Sequence, residues 1–214
     1  MSFSLWAKIV YRAISPLNGE IIIKEQLGQY TLYVDGIPQS GGVVRDIWRK
    51  GVSALPQDWE VPVVLLLGVG GGTVINVLKK RWPLAKITGI EIDKQMITVA
   101  KAYFQLDQIS GLRLICKDAQ KVVSGGKGGL EKGRFDLILV DMYRGKDLPS
   151  FVTKEVFMKR IKALLSFGGV AVFNYLLDEK GRETVYDFEG NLKKFFPKIK
   201  LVQTLSNSLI FAYL

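Results

Sequence analysis

The 214-residue sequence contains no histidine and a single cysteine, Cys116. The lack of histidine excludes a histidine general base, a histidine-based catalytic triad and histidine metal ligands. A lone cysteine forms no internal disulfide and no cluster of thiolate ligands, which favours a reducing compartment. The sequence therefore predicts no metal site, and we expect a cytoplasmic protein.

Long apolar runs are also missing. No segment reaches the roughly 20 apolar residues that cross a bilayer, and we expect no membrane association. The apolar N-terminal stretch contains Lys8 and Arg12 and has no small-residue cleavage pattern, so no secretory signal is expected. A hydrophobic content of 48% with 23% charged residues is ordinary for a globular domain with its own core.

Acidic residues are outnumbered by basic ones, which leaves a net charge of +10. Such an excess is compatible with a nucleic-acid surface, and residues 193–200 interleave lysines with Phe195 and Phe196. Aromatics that dock a helix on a sheet, surrounded by solvated lysines, give the same pattern. We favour that second interpretation, because net charge alone does not identify a partner.

The N-terminal quarter of the chain has strand-like alternation at 20–25 and 30–35 around a glycine-bearing turn, which predicts a β-hairpin. Residues 43–54 have helical spacing, and residues 56–62 resemble a boundary. Residues 1–14 are expected to form a helix packed on the domain or on a second subunit, with an amphipathic membrane anchor as the alternative. We predict an N-terminal segment of residues 1–58 and a catalytic domain of residues 59–214.

Beyond the boundary, strand-like and helix-like segments alternate, which is typical of an α/β doubly wound parallel sheet. The last two strands are separated only by residues 206–208, too few for a crossover, so they must be antiparallel. The predicted fold is a Rossmann-like seven-stranded sheet with an antiparallel last strand. The predicted strands are 62–67, 86–91, 112–116, 135–140, 168–175, 199–205 and 209–213, and the predicted helices are 72–82, 94–105, 119–123, 151–165 and 181–195.

Glycines and acids follow the first four predicted strands of that domain, where ligands of open α/β sheets bind. We expect the glycine turn to lie under a nucleoside cofactor, Glu91 to accept from ribose hydroxyls, and Asp118 to accept from an adenine amino group. Helix capping is the alternative for Asp118, and Asp93 is the expected cap of the next helix. NAD is disfavoured because Thr73 stands where its fingerprint requires a third glycine. The residues concerned are Gly68, Gly70, Gly72, Glu91, Asp118 and Asp141.

Over residues 18–176 the sequence resembles the spermidine synthase (aminopropyltransferase) family. The resemblance is carried by segments 34–39, 64–72, 89–93, 118–119, 135–141 and 168–174. It implies S-adenosylmethionine or decarboxylated S-adenosylmethionine as cofactor, with Gln39, Ile92 and Ala119 as further cofactor contacts. It also implies that Asp141 accepts a proton from the acceptor or contacts the cofactor, with Tyr143 beside it, and that the protein is a homodimer.

The sequence departs from the family at the part of the site that binds the polyamine. Gly71 stands where the family's glycine loop has an aspartate that favours the amine end of the decarboxylated cofactor. Arg144 stands where the family has a second aspartate, and the family's Tyr-His or Tyr-Gln pair in the first helix is absent around residues 45–48. These departures favour ordinary S-adenosylmethionine, whose carboxylate that aspartate would repel.

We therefore expect an S-adenosylmethionine-dependent methyltransferase that acts on an unidentified small-molecule acceptor. Two enzymatic alternatives are an aminopropyltransferase (spermidine synthase) and an RNA methyltransferase. The third alternative is a non-catalytic relative that binds the cofactor. Arg144 is expected either to bind an acidic acceptor or to be a solvated loop residue.

Overall fold

The structure is a computed structural model that describes residues 6–125, 130–143, 145, 147–177 and 181–214. It contains a four-stranded antiparallel sheet followed by a seven-stranded, mostly parallel sheet with helices on both faces. The Rossmann-like α/β fold predicted from the alternation of elements is confirmed, and the predicted β-hairpin forms the centre of the smaller sheet. No helix within the described ranges combines the length and the hydropathy needed to cross a membrane.

The smaller sheet has the order β1-β2-β3-β4. Its turn between β2 and β3 consists of Leu27 and Gly28, both with positive φ, which suits a two-residue hairpin. The helix α1 follows this sheet. The bounds are β1 (Lys8–Ser15), β2 (Gly19–Gln26), β3 (Gln29–Val34), β4 (Ile37–Pro38) and α1 (Gly42–Ser53).

The expected N-terminal helix is wrong, because residues 8–15 form strand β1; residues 1–5 lie outside the described part of the chain. β1 pairs along β2 with one register shift between Ile9 and Tyr11. The Tyr11 ring packs 5.6 Å from the ring of Tyr103. Branched and aromatic residues in this stretch favour an extended backbone. A strand needs backbone hydrogen-bond partners from a neighbouring strand, and the edge of β2 supplies them.

The larger sheet has the order β10-β11-β9-β8-β5-β6-β7. Strands β5 to β9 run parallel, and β11 runs opposite to both of its neighbours, β9 and β10. The antiparallel terminal hairpin predicted from the short 206–208 connection is thus confirmed. The strands are β5 (Val63–Leu67), β6 (Lys86–Glu91), β7 (Leu112–Cys116), β8 (Phe135–Val140), β9 (Leu165–Leu176), β10 (Lys198–Gln203) and β11 (Asn207–Tyr213).

Within the described ranges, five further helices pack on the larger sheet. Its core lies on both faces of the sheet: Val64 and Leu66 of β5 face one side, and Leu65 and Leu67 face the other, all fully buried. Each such side chain contributes about 1.5–3 kcal/mol relative to exposure. The helices are α2 (Thr73–Arg81), α3 (Lys94–Phe104), α4 (Ala119–Val123), α5 (Glu155–Leu164) and α6 (Gly181–Lys193), with 3-10 turns at Leu106–Gln108 and Ser150–Thr153.

The two sheets are joined by packing that matters for the site. β2 and β3 bury Ile21, Ile23, Leu32 and Val34 against α3. α1 packs on the other end of the large sheet, where a methyl group added to Gly51 would lie only 2.4 Å from Leu209 Cδ1. The smaller sheet and α1 therefore form walls beside the carboxyl ends of the parallel strands.

Candidate active site

A cavity of about 460 Å³ lies at the carboxyl ends of β5, β6 and β8, between the two sheets. It is the place where an open α/β sheet binds its ligand. Of the residues predicted from sequence, Gln39, Gly68, Gly70, Glu91, Ile92, Asp118, Ala119, Asp141 and Tyr143 line it. Gly72 is not among the lining residues.

The glycine loop between β5 and α2 has two glycines that packing requires. Gly68 has a φ of +87°, and a Cβ there would lie 2.0 Å from the Asp141 carbonyl oxygen. Gly72 caps α2 with a φ of +75°, and a Cβ there would lie 2.4 Å from Leu106. Gly70, with a φ of +52°, has only the Gln39 carbonyl oxygen nearby, at 3.7 Å. Gly68 and Gly70 thus bring main chain to the cavity wall, whereas Gly72 shapes the start of the helix.

Glu91 holds the glycine loop in place. Its Oε2 accepts from the backbone N–H groups of Val69 and Gly70 at 3.0 and 3.2 Å, and its Oε1 accepts from Asp93 N at 3.0 Å. The side chain is buried and still lines the cavity. Each carboxylate oxygen has two lone pairs, so capacity remains for a ligand hydroxyl.

Asp118 and Ala119 lie at the start of α4. Asp118 is partly exposed, and its Oδ1 accepts from Gln120 N at 2.8 Å, which is the helix cap that sequence reasoning kept as the alternative. Its side chain lines the cavity as well, so capping and ligand binding are compatible here. Ile92, which is 38% exposed, places an apolar surface in the same lining.

The β1–β2 turn forms a wall that the sequence did not indicate. Asp93 caps α3 through Gln95 N, as predicted, and its Oδ2 also accepts from Ser15 Oγ at 2.5 Å and Asn18 Nδ2 at 2.7 Å. Leu17 and Asn18 line the cavity as a result. The only feature of the sequence that could have indicated this wall was a second acid, Asp93, two residues after Glu91.

Asp141 directly follows β8, and two neutral hydrogen-bond donors hold its carboxylate. Trp48 Nε1 donates to its Oδ2 at 3.1 Å, and Asn174 Nδ2 donates to its Oδ1 at 2.7 Å. Burial raises the pKa of Asp141 and the nearby charge of Glu91 raises it further, while the two hydrogen bonds oppose the rise. A raised pKa makes a carboxylate a better proton acceptor than an ordinary aspartate.

Tyr143 is held by β9. Its hydroxyl donates to the Asn174 carbonyl at 2.9 Å and accepts from Leu176 N at 2.8 Å. These bonds place the ring at the cavity wall and make the hydroxyl a poor proton carrier, so the predicted catalytic role of Tyr143 stays a prediction. Arg144 lies outside the described residues.

Gly71 faces the smaller sheet. A Cβ built there would lie 2.8 Å from Ser40 Cβ, 3.0 Å from Ser40 Oγ and 3.4 Å from Leu32 Cδ2. Ser40 is buried and accepts from Leu32 N at 3.0 Å, so it is fixed. The position where the resembling family has an aspartate has no room for a side chain in this structure.

A nucleoside pocket at the carboxyl edge of a seven-stranded sheet with a reversed hairpin defines a class I transferase fold. A sequence model of the family described as "Methyltransferase domain" matches residues 64–169. These residues contain the glycine loop, Glu91, Asp118 and Asp141. The match supports the predicted cofactor class, S-adenosylmethionine or its decarboxylated form.

Two relatives with different activities are similar in sequence. A polyamine aminopropyltransferase of Vibrio vulnificus is 28% identical over 155 residues, which is 71% of this chain and 50% of the relative. An eEF1A lysine and N-terminal methyltransferase homolog of Drosophila melanogaster is 30% identical over 144 residues, which is 64% of this chain and 20% of the relative. The chain spans half of the first relative and a fifth of the second.

A probable spermidine synthase from Corynebacterium glutamicum has a similar solved structure, with a TM-score of 0.80 and 15% identity over 98% of this chain and 81% of that chain. The chain therefore has a spermidine synthase-like, class I S-adenosylmethionine-dependent fold. The family resemblance predicted from sequence is confirmed.

Trp48 and Asn174, which contact Asp141, were not predicted as site residues. Trp48 lies in α1, where an aromatic at helical spacing indicates core packing, and it is indeed buried there. Asn174 is a polar residue inside the otherwise apolar strand β9, which is a signal that could have been used, because a buried amide needs partners.

Proposed function

We propose that this protein is an S-adenosylmethionine-dependent methyltransferase that acts on a small-molecule acceptor in the cavity between the two sheets. The observation that carries the proposal is the position of Ser40, which would lie only 2.8 Å from a Cβ at Gly71 and so leaves no room for a side chain there. It leaves the glycine loop without the acid that would repel a cofactor carboxylate. The first turn of α2, next to this loop, contains no acid either.

The lining fits the parts of such a cofactor. Glu91, Ile92, Asp118 and Ala119 all line the cavity. In this proposal Glu91 would accept from ribose hydroxyls, and the other three would offer apolar and acceptor groups to an adenine ring. The N-terminal end of α2 has no side-chain cap and carries a partial positive charge, which favours a carboxylate. Thr73 adds a hydroxyl there.

The acceptor would bind beside Asp141. When bound, the cofactor supplies the methyl group as an electrophile, and the protein has to orient the acceptor and exclude water. Asp141 would take the proton released by the acceptor, in the orientation fixed by Trp48 and Asn174. Phe151 and Val44 line the cavity with apolar surface that limits water.

Cofactor preference tests the proposal. S-adenosylmethionine should raise the melting temperature more than decarboxylated S-adenosylmethionine at equal concentration, because stabilisation follows ligand concentration over Kd. A larger shift with the decarboxylated form would contradict the proposal. Incubation with candidate acceptors, followed by mass spectrometry, distinguishes S-adenosylhomocysteine from methylthioadenosine as the product.

Gly71 and Ser40 provide a second test. Gly71→Asp alone should destabilise the protein, because the new side chain meets Ser40. In the double variant Gly71→Asp with Ser40→Gly that obstacle is removed, and the added carboxylate should shift preference toward the decarboxylated cofactor by about tenfold or more, on the order of 1.4 kcal/mol. Ser40→Gly alone is the matched control, and an unchanged preference in the double variant contradicts the role given to Gly71.

Aminopropyl transfer is the second candidate, favoured by one observation. Asp141 and Asp147 both line the acceptor end, and the described lining contains no lysine or arginine, so a cationic amine would be tolerated there. Formation of methylthioadenosine with putrescine and the decarboxylated cofactor would establish it.

Action on a protein lysine, by analogy with the Drosophila relative's name, or on RNA would be detected by radiolabelled methyl transfer. A cytoplasmic location and a homodimer remain predictions.

A further inference from the structure

A row of amide side chains connects Asp141 with the turn between β10 and β11. Asn174 Nδ2 donates to Asp141 Oδ1 at 2.7 Å, and Asn207 Nδ2 donates to Asn174 Oδ1 at 2.8 Å. Ser206 Oγ then donates to Asn207 Oδ1 at 2.7 Å. Both asparagines are buried, and the Thr204 hydroxyl further fixes the Asn207 backbone, because it donates to the Asn207 carbonyl and accepts from Asn207 N.

This row has a direction. A carboxylate only accepts hydrogen bonds, so the Asn174 amide must present its nitrogen to Asp141 and its oxygen to Asn207. Rotating that amide by half a turn would bring its oxygen against the carboxylate and its nitrogen against the nitrogen of Asn207. Both contacts would be repulsive, so Asn207 makes the reversed orientation unfavourable.

We propose that Asn207 is a positioning residue, which holds the amide of Asn174 in one orientation and thereby keeps Asp141 a hydrogen-bond acceptor. The assignment rests on the proposed function only in so far as it gives Asp141 the role of proton acceptor. Asn207 itself is not among the residues that line the cavity.

The surroundings of Asp141 make this orientation important. Among the described residues, the titratable groups that line the cavity with it are Glu91, Asp118, Tyr143 and Asp147, and none of these supplies a positive charge. Burial and Glu91 raise the pKa of Asp141, and the hydrogen bonds from Asn174 and Trp48 are the effects that oppose the rise. The charged form of Asp141 is thus held by two neutral donors, of which one depends on Asn207.

Trp48 provides a reporter that needs neither cofactor nor acceptor. Its indole N–H donates to Asp141 Oδ2, so protonation of Asp141 should shift the indole resonance in a ¹H–¹⁵N spectrum. The chain has four tryptophans, and Trp48→Phe identifies the signal by its loss. The pH midpoint of this signal measures the titration of Asp141, and Asp141→Asn should abolish it.

Asn207→Leu removes the donor to Asn174 at similar volume and adds no charge, and we expect the midpoint to move to higher pH. Asn207→Asp can only accept, so it should turn the Asn174 amide around and move the midpoint further in the same direction. Gln203→Glu is the matched control: it adds the same charge on the neighbouring strand, at an exposed residue outside the row, and should leave the midpoint unchanged.

Unchanged midpoints in both Asn207 variants, with the other indole signals dispersed as in the wild type, would overturn the proposal. A shift in Asn207→Asp that Gln203→Glu reproduces, with none in Asn207→Leu, would also overturn it, since charge alone would then explain the change. If Asn207→Leu does not fold, Asn207→Ser replaces it, because a serine hydroxyl is too short to reach Asn174. The measurement uses the protein without ligands, so its failure is distinguishable from a failure to bind S-adenosylmethionine.

Discussion

Replacing Glu91 by glutamine tests whether one carboxylate both shapes the glycine loop and binds the cofactor. Glu91 accepts three backbone hydrogen bonds, two at Oε2 and one at Oε1. Glutamine retains a single acceptor oxygen. If its nitrogen faced the loop, the N–H groups of Val69 and Gly70 would both meet a donor; if it faced Asp93, only one N–H would. The second orientation is therefore favoured, and one buried N–H loses its partner.

The expected cost follows from that count. One unsatisfied buried donor destabilises a protein by about 1–3 kcal/mol. For a chain of this size, each kcal/mol lowers the melting temperature by roughly 2–4 °C. We expect Glu91→Gln to melt about 2–12 °C below the wild type. If the carboxylate also accepts from ribose hydroxyls, the loss of a charged acceptor, worth about 1.5–3 kcal/mol, should raise Kd for S-adenosylmethionine roughly 10- to 150-fold.

The assay combines thermal unfolding without ligand and calorimetric titration with S-adenosylmethionine. Asp118→Asn is the matched control, because Asp118 is partly exposed and accepts one backbone N–H, and asparagine caps helices as well as aspartate does. Its melting temperature should stay close to that of the wild type. An unchanged melting temperature in Glu91→Gln would refute the role in the loop. A lower melting temperature with unchanged Kd would refute the ribose contact alone.

Two further predictions concern Gly68 and Asp141. Gly68→Ala should destabilise the protein by more than about 4 kcal/mol in urea unfolding, because its Cβ would lie 2.0 Å from a backbone oxygen of Asp141 at positive φ. Gly36→Ala, with φ of +77° and open space around it, should cost only about 1–2 kcal/mol, and equal costs would contradict the packing argument. Because burial raises the pKa of Asp141 above its ordinary 3.8, the folded state retains this proton to higher pH than the unfolded state, and the contribution of Asp141 to stability should fall as pH rises from 3.8 to the raised pKa. Asp141→Asn should lack this decline, and parallel pH profiles of the two urea midpoints would count against it.

The sequence was sufficient to predict which residues line the cavity where each of them comes directly at or after the end of a strand. Gly68, Glu91, Asp118 and Asp141 each follow a parallel strand, and parallel strands bring their carboxyl ends to one edge of the sheet. Strand β1 was mistaken for a helix because its apolar residues do not alternate strictly, and the register shift near Ile9 explains the irregular pattern. The conformation of β1 is decided by its pairing with β2, which is a tertiary contact that the local sequence pattern does not contain.

The contacts that decide chemistry were not predictable in the same way. Trp48 reaches Asp141 across 93 residues of sequence, and Asn207 reaches Asn174 across 33. Ser40 meets Gly71 only because the smaller sheet packs on the glycine loop. Trp48 lies in a helix whose pattern is satisfied by core packing, and Ser40 lies between β4 and α1, so no local signal marks either contact. The buried amides of Asn174 and Asn207 do indicate that a partner is needed, but they do not identify it.

This division explains why relatives with two activities align with one chain. The cofactor half of the cavity is built from consecutive strand ends of the larger sheet, within the 64–169 segment that matches a methyltransferase domain. The acceptor end combines Asp141 and Asp147 of that segment with α1 and the β10–β11 turn, which lie outside it. We propose that similarity over the 64–169 segment carries the cofactor class with it, whereas long-range contacts such as the approach of Ser40 to Gly71 contribute to the choice of the transferred group. Substitutions at those contacts should therefore change specificity while leaving nucleoside binding intact. Binding of methylthioadenosine, a nucleoside without the cofactor carboxylate, to Ser40→Gly and to the double variant Ser40→Gly with Gly71→Asp provides the measure of that separation.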